Sequence, residues 1–158
     1  MAISSLAVAN AFLDLAEEQC KTLTNMQVQK LVFLAQGYCM ALLDRPIHYH
    51  NTHAWQFGPV IPRLYKNLQK YGNGVVSEHV TTDESIDKNS EDYQIVRGVF
   101  KVYGGYTGGQ LSSLTHEAGT PWSQTWGQNR FGIIDDELMG AFYKKKLGRT
   151  HAHAEQPA

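Results

Sequence analysis

The longest helical pattern in the chain begins at Asn25. Apolar residues recur at intervals of three and four between residues 28 and 43, as they do on the buried face of a helix. Thr24 and Gln27 have the spacing of a capping box, in which each side chain satisfies a backbone N–H at the helix start. We therefore predict a long buried helix from Asn25, with a face formed by Val28, Leu31, Val32, Ala35, Cys39 and Leu42 and widened by Phe33, Leu34, Met40 and Leu43.

Capping residues and apolar spacing predict further helices on both sides of this one. The first begins after Ser4 or Ser5 and runs to about Gln19. Another begins at Pro62, because a proline in the first helical turn gives up an N–H that has no partner there, and it ends at Gly72.

The second half of the chain shows three more helix signals before its last helix. Apolar residues between 95 and 103 mark a helix that Gly104 ends. A second capping box, Thr107 with Gln110, opens a helix over residues 111–116, and Pro121 begins a short helical turn.

The last predicted helix has acidic residues at 135–137 and lysines at 144–146, which complements the helix dipole at both ends. Gly148 is placed to cap it. Residues 149–158 show no apolar periodicity, and we predict a disordered tail there.

Short strands are predicted in two places. Residues 47–57 alternate aromatic or β-branched positions with polar ones, which indicates a hairpin around Asn51 and Thr52, and residues 58–62 are extended by their prolines. Residues 75–80 form a second candidate strand, followed by a polar surface loop over residues 81–90. The fold class predicted is mainly α (α+β): a compact helical domain of about five to six helices with a small β-hairpin or short sheet, over residues 1–148.

Composition and net charge argue against several classes of function. The chain has 158 residues, a formal net charge of −1 and a pI near 6.6, so it has no overall basic field and nucleic-acid binding is not expected. Two cysteines without a ligand-pair spacing suit a cytoplasmic protein. We expect no export signal, no membrane span and no cofactor.

Histidines and a cysteine supply the alternatives for catalysis or metal binding. In a strand, His48 and His50 of the H-x-H-x-x-H run ending at His53 would point to one face, where they could share a metal ion. No acid or cysteine lies at a companion spacing, so no metal site is predicted. Cys39 on the apolar helix face is expected to behave as a small hydrophobe rather than as a nucleophile.

His116 and Glu117 follow a predicted helix and form a conceivable acid–base pair. The commoner role of such a histidine is a local contact with the last carbonyls of its helix. No complete catalytic set can be assembled, so binding is favoured over catalysis.

Basic and aromatic residues meet near Pro62. Arg63, Lys66 and Lys70 are spaced to share one helix face, which would be a solvated face or a docking surface for an acidic partner or DNA. Aromatic residues beside arginine are typical of interface hot spots. The candidate partner-binding residues are therefore Trp55, Phe57, Arg63, Tyr65, Lys66 and Lys70.

Several ordered motifs resemble one known family. Gln29-Lys30-Leu31, then Gln36-Gly37, then Trp55 with Gly58-Pro59, and later Leu114-Thr115-His116 with Pro121-Trp122 resemble the motif series of the SocA-like antitoxin family. Its shared unit is called the Panacea domain, and it includes phage-associated proteins of the GepA type. The resemblance extends over about residues 6–147. Phe57 stands where the family pattern has Tyr, so no hydroxyl chemistry is assigned there.

The resemblance implies an antitoxin that neutralises a cognate protein toxin by direct binding. It also implies an adaptor role for some members, which deliver the toxin to a ClpXP-type protease. The alternatives are a phage-encoded host-interaction protein of the same fold, and a hydrolase using His116 with Glu117 or a His48/His50 metal site.

Overall fold

The computed structural model describes residues 2–155, with side chains for residues 2–148. Within this range the fold consists of seven α-helices and a three-stranded antiparallel sheet of order β2-β1-β3, which confirms the mainly α fold class. The elements are α1 (Ser5–Glu18), α2 (Asn25–Leu43), β1 (Thr52–Trp55), β2 (Gly58–Val60), α3 (Pro62–Leu68), a 3-10 turn (Gln69–Tyr71), α4 (Glu91–Tyr103), α5 (Gly108–His116), α6 (Pro121–Gln128), β3 (Ile133–Ile134) and α7 (Asp136–Glu155).

Helix α2 runs through the centre of the fold. Its predicted capping box is formed by Thr24 and Gln27, and every residue from 28 to 37 is buried. Such a helix is enclosed by α1, α3, α4, α5, α7 and β2 rather than packed on one face. One residue of the predicted face is an exception: Leu42 is 58% exposed, because the groove between the ends of α2, α4 and α7 is open there.

Helix α7 packs directly on α2. At Gly37 the ring of Tyr143 lies so close that a Cβ atom would come within 2.4 Å of it. Beside this contact, Gln36 is fully buried: its Oε1 accepts hydrogen bonds from Ile47 N and His48 N, and its Nε2 donates to Asp136 Oδ1 at 3.1 Å. Gln36 and Gly37 therefore hold α7 and the segment after α2 against the central helix.

The hairpin exists, but its predicted turn at Asn51 and Thr52 is wrong. Thr52 begins β1, and the two-residue turn is Gln56-Phe57, closed by the pairing of Trp55 with Gly58. Glycine is favoured at the last position of such a turn.

Two other local predictions are corrected. Residues 75–80 do not form a strand; only an isolated bridge joins Val75 to Thr24. Gly148 does not end the last helix, because α7 continues to Glu155. An exposed glycine costs a helix only about 1 kcal/mol. The predicted tail thus begins inside α7, and its residues 156–158 lie outside those described.

The predicted starts of the other helices are confirmed, but α3 ends at Leu68 and a 3-10 turn continues to Tyr71, before the predicted end at Gly72. Ser4 caps α1, Pro62 opens α3, and Thr107 with Gln110 forms the second capping box, at α5. Among residues 2–155, no helix has both the length and the apolar composition needed to cross a bilayer.

The contact between α2 and α7 can be tested with Gly37→Ala. The added methyl group would overlap the buried ring of Tyr143, so we expect the free energy of unfolding to fall by about 1–3 kcal/mol. The matched control is Gly98→Ala, in an exposed position of α4 where nothing lies within 4 Å; it should stabilise by up to about 1 kcal/mol. Urea denaturation measures both, and equal shifts in the two variants would contradict the close packing.

Candidate functional site

Side chains from three elements bind the backbone of the β1–β2 turn. Trp122 Nε1 donates to the carbonyl of Trp55 at 2.6 Å, and Ser112 Oγ donates to the carbonyl of Phe57 at 2.9 Å. Lys30 Nζ donates to the carbonyl of Pro59 at 2.8 Å. Three alternate carbonyls are therefore held by α6, α5 and α2, and the turn is fixed in place while the side chain of Phe57 remains exposed.

Gly58 is required at this junction for two reasons. Its φ of +126° is one that other residues rarely adopt, and a Cβ atom there would lie 3.1 Å from Lys30 Nζ. The same Cβ would be 3.8 Å from His116 Nδ1. Gly58 therefore lies between the lysine and the histidine.

Lys30 is a buried amine with no acidic partner. Its side chain is 4% exposed, and neither of the ion pairs found among the described residues includes it. Burial lowers the pKa of Lys30 to about 8, because desolvation disfavours the charged form. The ammonium form still predominates at neutral pH.

Two buried amides lie beside Lys30. Gln29 Oε1 accepts a hydrogen bond from Ile61 N, and Asn25 Nδ2 donates to the carbonyls of Leu68 and Gly72. The other polar atom of each amide, Gln29 Nε2 and Asn25 Oδ1, is buried without a hydrogen-bond partner among the described residues.

Lys30, Gln29 and Asn25 contribute to the wall of a cavity of about 460 Å³, which we call the hairpin cleft. It lies between the start of α2, the β1–β2 turn and the end of α3. Most of the rest of its lining is apolar or aromatic: Met26, Trp55, Phe57, Val60, Tyr65 and Phe131. A mainly apolar cleft with a few convergent polar groups is the usual form of a binding site.

The six candidate partner-binding residues divide into two groups. Trp55, Phe57 and Tyr65 line the hairpin cleft, with the rings of Trp55 and Tyr65 packed edge to face at 5.1 Å. The three basic residues are exposed but do not line it, and the last of them lies in the 3-10 turn rather than on α3: Arg63, Lys66 and Lys70.

The other family-motif residues mainly hold the fold together. Leu31 and Thr115 are fully buried, and the Thr115 hydroxyl donates to the carbonyl of Leu111. Leu114 packs on the core, and Pro121 opens α6.

His116 makes a local contact rather than an acid–base pair. Its Nδ1 is hydrogen-bonded to the carbonyl of Ser112, one helical turn earlier, and its ring packs edge to face on Trp122 at 5.4 Å. Glu117 is exposed, and no described contact joins its carboxylate to His116.

The histidine run is not arranged as the strand pattern would place it. His48 is fully buried outside the sheet, and its Nδ1 accepts a hydrogen bond from the backbone N–H of His50. Burial lowers the pKa of His48 to about 3. His50 Nδ1 is hydrogen-bonded to the backbone N–H and the hydroxyl of Ser5. His53 Nδ1 is hydrogen-bonded to the carbonyl of Phe131. No group of three metal-binding side chains occurs among the described residues.

Cys39 is buried, and burial raises the pKa of its thiol to about 12. A thiol that stays protonated is a poor nucleophile.

Sequence reasoning missed several residues of the site: Asn25, Met26, Ser112 and Phe131. Asn25 precedes Gln29 by one helical turn, and Ser112 precedes His116 by one turn, so i, i+4 spacing from the motif residues was an available signal. Phe131 comes from a distant segment and carried no such signal.

Comparison with known proteins places the whole motif set in one family. The model of the family described as antitoxin SocA-like, Panacea domain, matches residues 28–123. These residues include Lys30, the β1–β2 turn and Ser112.

A curated relative points the same way. The chain is 26% identical over 129 residues to antitoxin SocA of Caulobacter vibrioides (strain NA1000 / CB15N), an alignment that covers 76% of this chain and 69% of the relative. No solved structure matches the chain significantly. The family match covers more than half of the chain, so this is a Panacea-domain protein, and it belongs to the SocA-like antitoxin family.

The burial of the Lys30 amine predicts a pH dependence of stability. An unfolded lysine keeps its proton to about pH 10.5, whereas folded Lys30 loses it near pH 8, so raising the pH between these values favours the folded state. The unmodified protein should therefore gain stability relative to Lys30→Met: the difference between their free energies of unfolding should increase by about 3 kcal/mol from pH 8 to pH 10.5.

Urea unfolding at pH 7, 8, 9 and 10 measures this difference. The matched control is Lys66→Met, because Lys66 is exposed on α3 and its curve should parallel that of the unmodified protein. A constant difference between the unmodified protein and Lys30→Met at all four pH values would show that the Lys30 amine is not desolvated.

Proposed function

We propose that this protein is a non-catalytic antitoxin of a toxin–antitoxin system, one that neutralises a cognate protein toxin by direct binding. Membership of the SocA-like family supports the antitoxin role in general. The geometry of this chain supports a particular surface as the one that binds the toxin.

The observation that carries the proposal is the exposure of apolar side chains around the hairpin cleft. Phe57 is 71% exposed, Phe131 is 56% exposed and Met26 is 39% exposed, and all three line the cleft. Large aromatic and methionine side chains around a concave site are typical of the energetic centres of protein interfaces. The hairpin cleft and its rim are therefore the toxin-binding surface in this proposal.

The fixed backbone of the turn supports the same assignment. Phe57 lies at the tip of a turn held by Trp122, Ser112 and Lys30. Binding to a preorganised loop loses less conformational entropy than binding to a mobile one. An exposed phenylalanine on a rigid turn is thus an efficient anchor for a partner.

The exposed basic residues of the α3 region would form the edge of this surface. Arg63 and Lys66 lie on α3, which supplies Tyr65 to the cleft, and Lys70 follows in the 3-10 turn. Charges at the rim of an interface steer association and select an acidic partner more than they add affinity.

The wider biological role is proposed on family grounds. The protein acts in the cytoplasm as one domain over residues 1–148, and toxin bound at the hairpin cleft is presented to a ClpXP-type protease. Adaptor action requires that the toxin occupy one face of the domain and leave others free for the protease.

The proposed surface predicts the effect of Phe57→Asp. Coexpression with the toxin encoded next to the gene should no longer restore growth, because a charge replaces the apolar anchor, while the melting temperature stays unchanged. The matched control is Val102→Asp on α4, a 59% exposed apolar position that does not line the cleft, and it should retain neutralisation. Neutralisation by Phe57→Asp and loss in Val102→Asp would instead place the toxin on the groove between the ends of α2, α4 and α7, which Val102 lines.

Charge reversal tests the rim. The double variant Arg63→Glu/Lys66→Glu should slow toxin association by roughly tenfold at low salt and keep the melting temperature, since both side chains are exposed. Surface plasmon resonance at two salt concentrations measures the rate. Unchanged association of a folded double variant would remove these residues from the toxin surface.

A further inference from the structure

The hairpin cleft contains a positive charge that no carboxylate among the described side chains neutralises. Lys30 is 4% exposed, its only hydrogen-bond acceptor among the described residues is the neutral carbonyl of Pro59, and no carboxylate is paired with it. A buried ammonium group is costly unless an opposite charge compensates it. The cleft is therefore suited to a ligand that brings an anion.

The neighbouring buried atoms specify the shape of that ligand. In the part of the chain that the structure describes, the hydrogen-bond donor Gln29 Nε2 and the acceptor Asn25 Oδ1 have no partner. Both residues line the cleft and lie one helical turn apart on α2, next to Lys30. Two donors and one acceptor match a carboxylate with a nearby N–H group.

The apolar wall requires an apolar group on the same ligand. Trp55, Tyr65 and Phe131 line the cleft, whose volume of about 460 Å³ exceeds what a carboxylate alone would fill. The last residue of a polypeptide with an apolar side chain joins an N–H, a carboxylate and an apolar group at one carbon. An internal Asp or Glu instead continues as polar backbone on both sides.

We propose that the hairpin cleft binds the C-terminal carboxylate of a protein partner whose last residue is apolar. Gln29 Nε2 and Asn25 Oδ1 are covered in the unbound protein, so binding turns these two side chains toward the cleft. Lys30 Nζ and Gln29 Nε2 then donate to the carboxylate, and Asn25 Oδ1 accepts the N–H of the same residue. The apolar side chain packs against Trp55 and Tyr65. The inference rests on the proposed function, since it identifies the part of the toxin that enters the cleft.

The physical gain is compensation of a charge that the fold already contains. Folding has already removed Lys30 from water in the unbound protein. A bound carboxylate can therefore form a charge-assisted hydrogen bond with the ammonium group without a further cost of lysine dehydration. Burial is the cause of the lowered pKa of Lys30, and a bound carboxylate raises that pKa again.

The test titrates the full chain with small peptides in place of the toxin. The probe is N-acetyl-Gly-Phe with a free carboxylate, and the controls are its C-terminal amide and N-acetyl-Asp methylamide, which carries a side-chain carboxylate. The three tryptophans supply three indole N–H signals in NMR spectra, and Trp55 lines the cleft. We expect the free acid to shift the Trp55 signal saturably and to bind at least about tenfold more tightly than either control.

Variants and pH identify the lysine as the binding group. Lys30→Met should weaken binding of the acid by about tenfold or more and leave the weak binding of the amide unchanged. The matched control is Lys101→Met, at an exposed position of α4 that does not line the cleft, and it should bind like the unmodified protein. If Lys30→Met does not fold, the unmodified protein still decides the question, because its affinity for the acid should fall from pH 7 to pH 9 as the Lys30 amine loses its proton. Tyr65 and His116 also lie near the cleft, and Arg63, Lys66 and Lys70 lie at its edge. Tyr65→Phe, His116→Gln and the double variant Lys66→Met/Lys70→Met should therefore keep this pH dependence.

Three outcomes would overturn the inference: equal binding of acid and amide, equal binding of the capped aspartate, or no saturable shift of Trp55. The titration contains no toxin, so its failure leaves the growth-rescue test of neutralisation standing. Failed growth rescue with successful peptide binding would conversely overturn the antitoxin function and keep the carboxylate site.

Discussion

The enclosure of α2 on all sides is the constraint on which the rest of the structure depends. Polar side chains on a helix buried from residue 28 to residue 37 cannot reach water, so each needs a partner inside the protein. Gln36 meets this requirement by binding the backbone after α2 and Asp136 at the start of α7. Lys30 and Gln29 meet part of it by binding the backbone of the hairpin segment. The polar residues of the central helix thereby position the loops and helices around it.

The hairpin owes its fixed position to this arrangement rather than to its own strands. β1 and β2 are short, and a two-stranded hairpin of this length is marginal by itself. Hydrogen bonds from Trp122, Ser112 and Lys30 to alternate carbonyls hold the turn from three directions. Its tip therefore displays an exposed phenylalanine on a backbone that hydrogen bonds hold in place.

Lys30 departs from the rule that buried groups are fully compensated. An apolar residue would fill its position without a desolvation penalty, whereas the amine keeps a charge beside an aromatic cavity. Such departures from local rules are found mainly at functional sites, which is why Lys30 is central to the proposed carboxylate site. The unpartnered amide atoms of Gln29 and Asn25 belong to the same pattern.

The sequence by itself determined the features that depend on neighbouring residues. Both capping boxes, the proline start of α3 and the apolar spacing of α2 are local interactions, and they predicted where the helices begin. Only the tertiary structure decided which side chains meet around the turn. Lys30, Phe57 and Ser112 are far apart in the chain, and nothing in their local spacing indicates that one amine and one hydroxyl bind neighbouring hairpin carbonyls.

The errors have the same physical origin. The turn was predicted at Asn51 from local turn propensity, but the pairing of β1 with β2 and β3 placed it at Gln56 and Phe57. Leu42 fits the apolar period of α2, yet the helices packed around α2 leave its end uncovered. Propensity and periodicity express short-range energies, whereas the burial of a given side chain and the partner of a given polar atom depend on long-range packing.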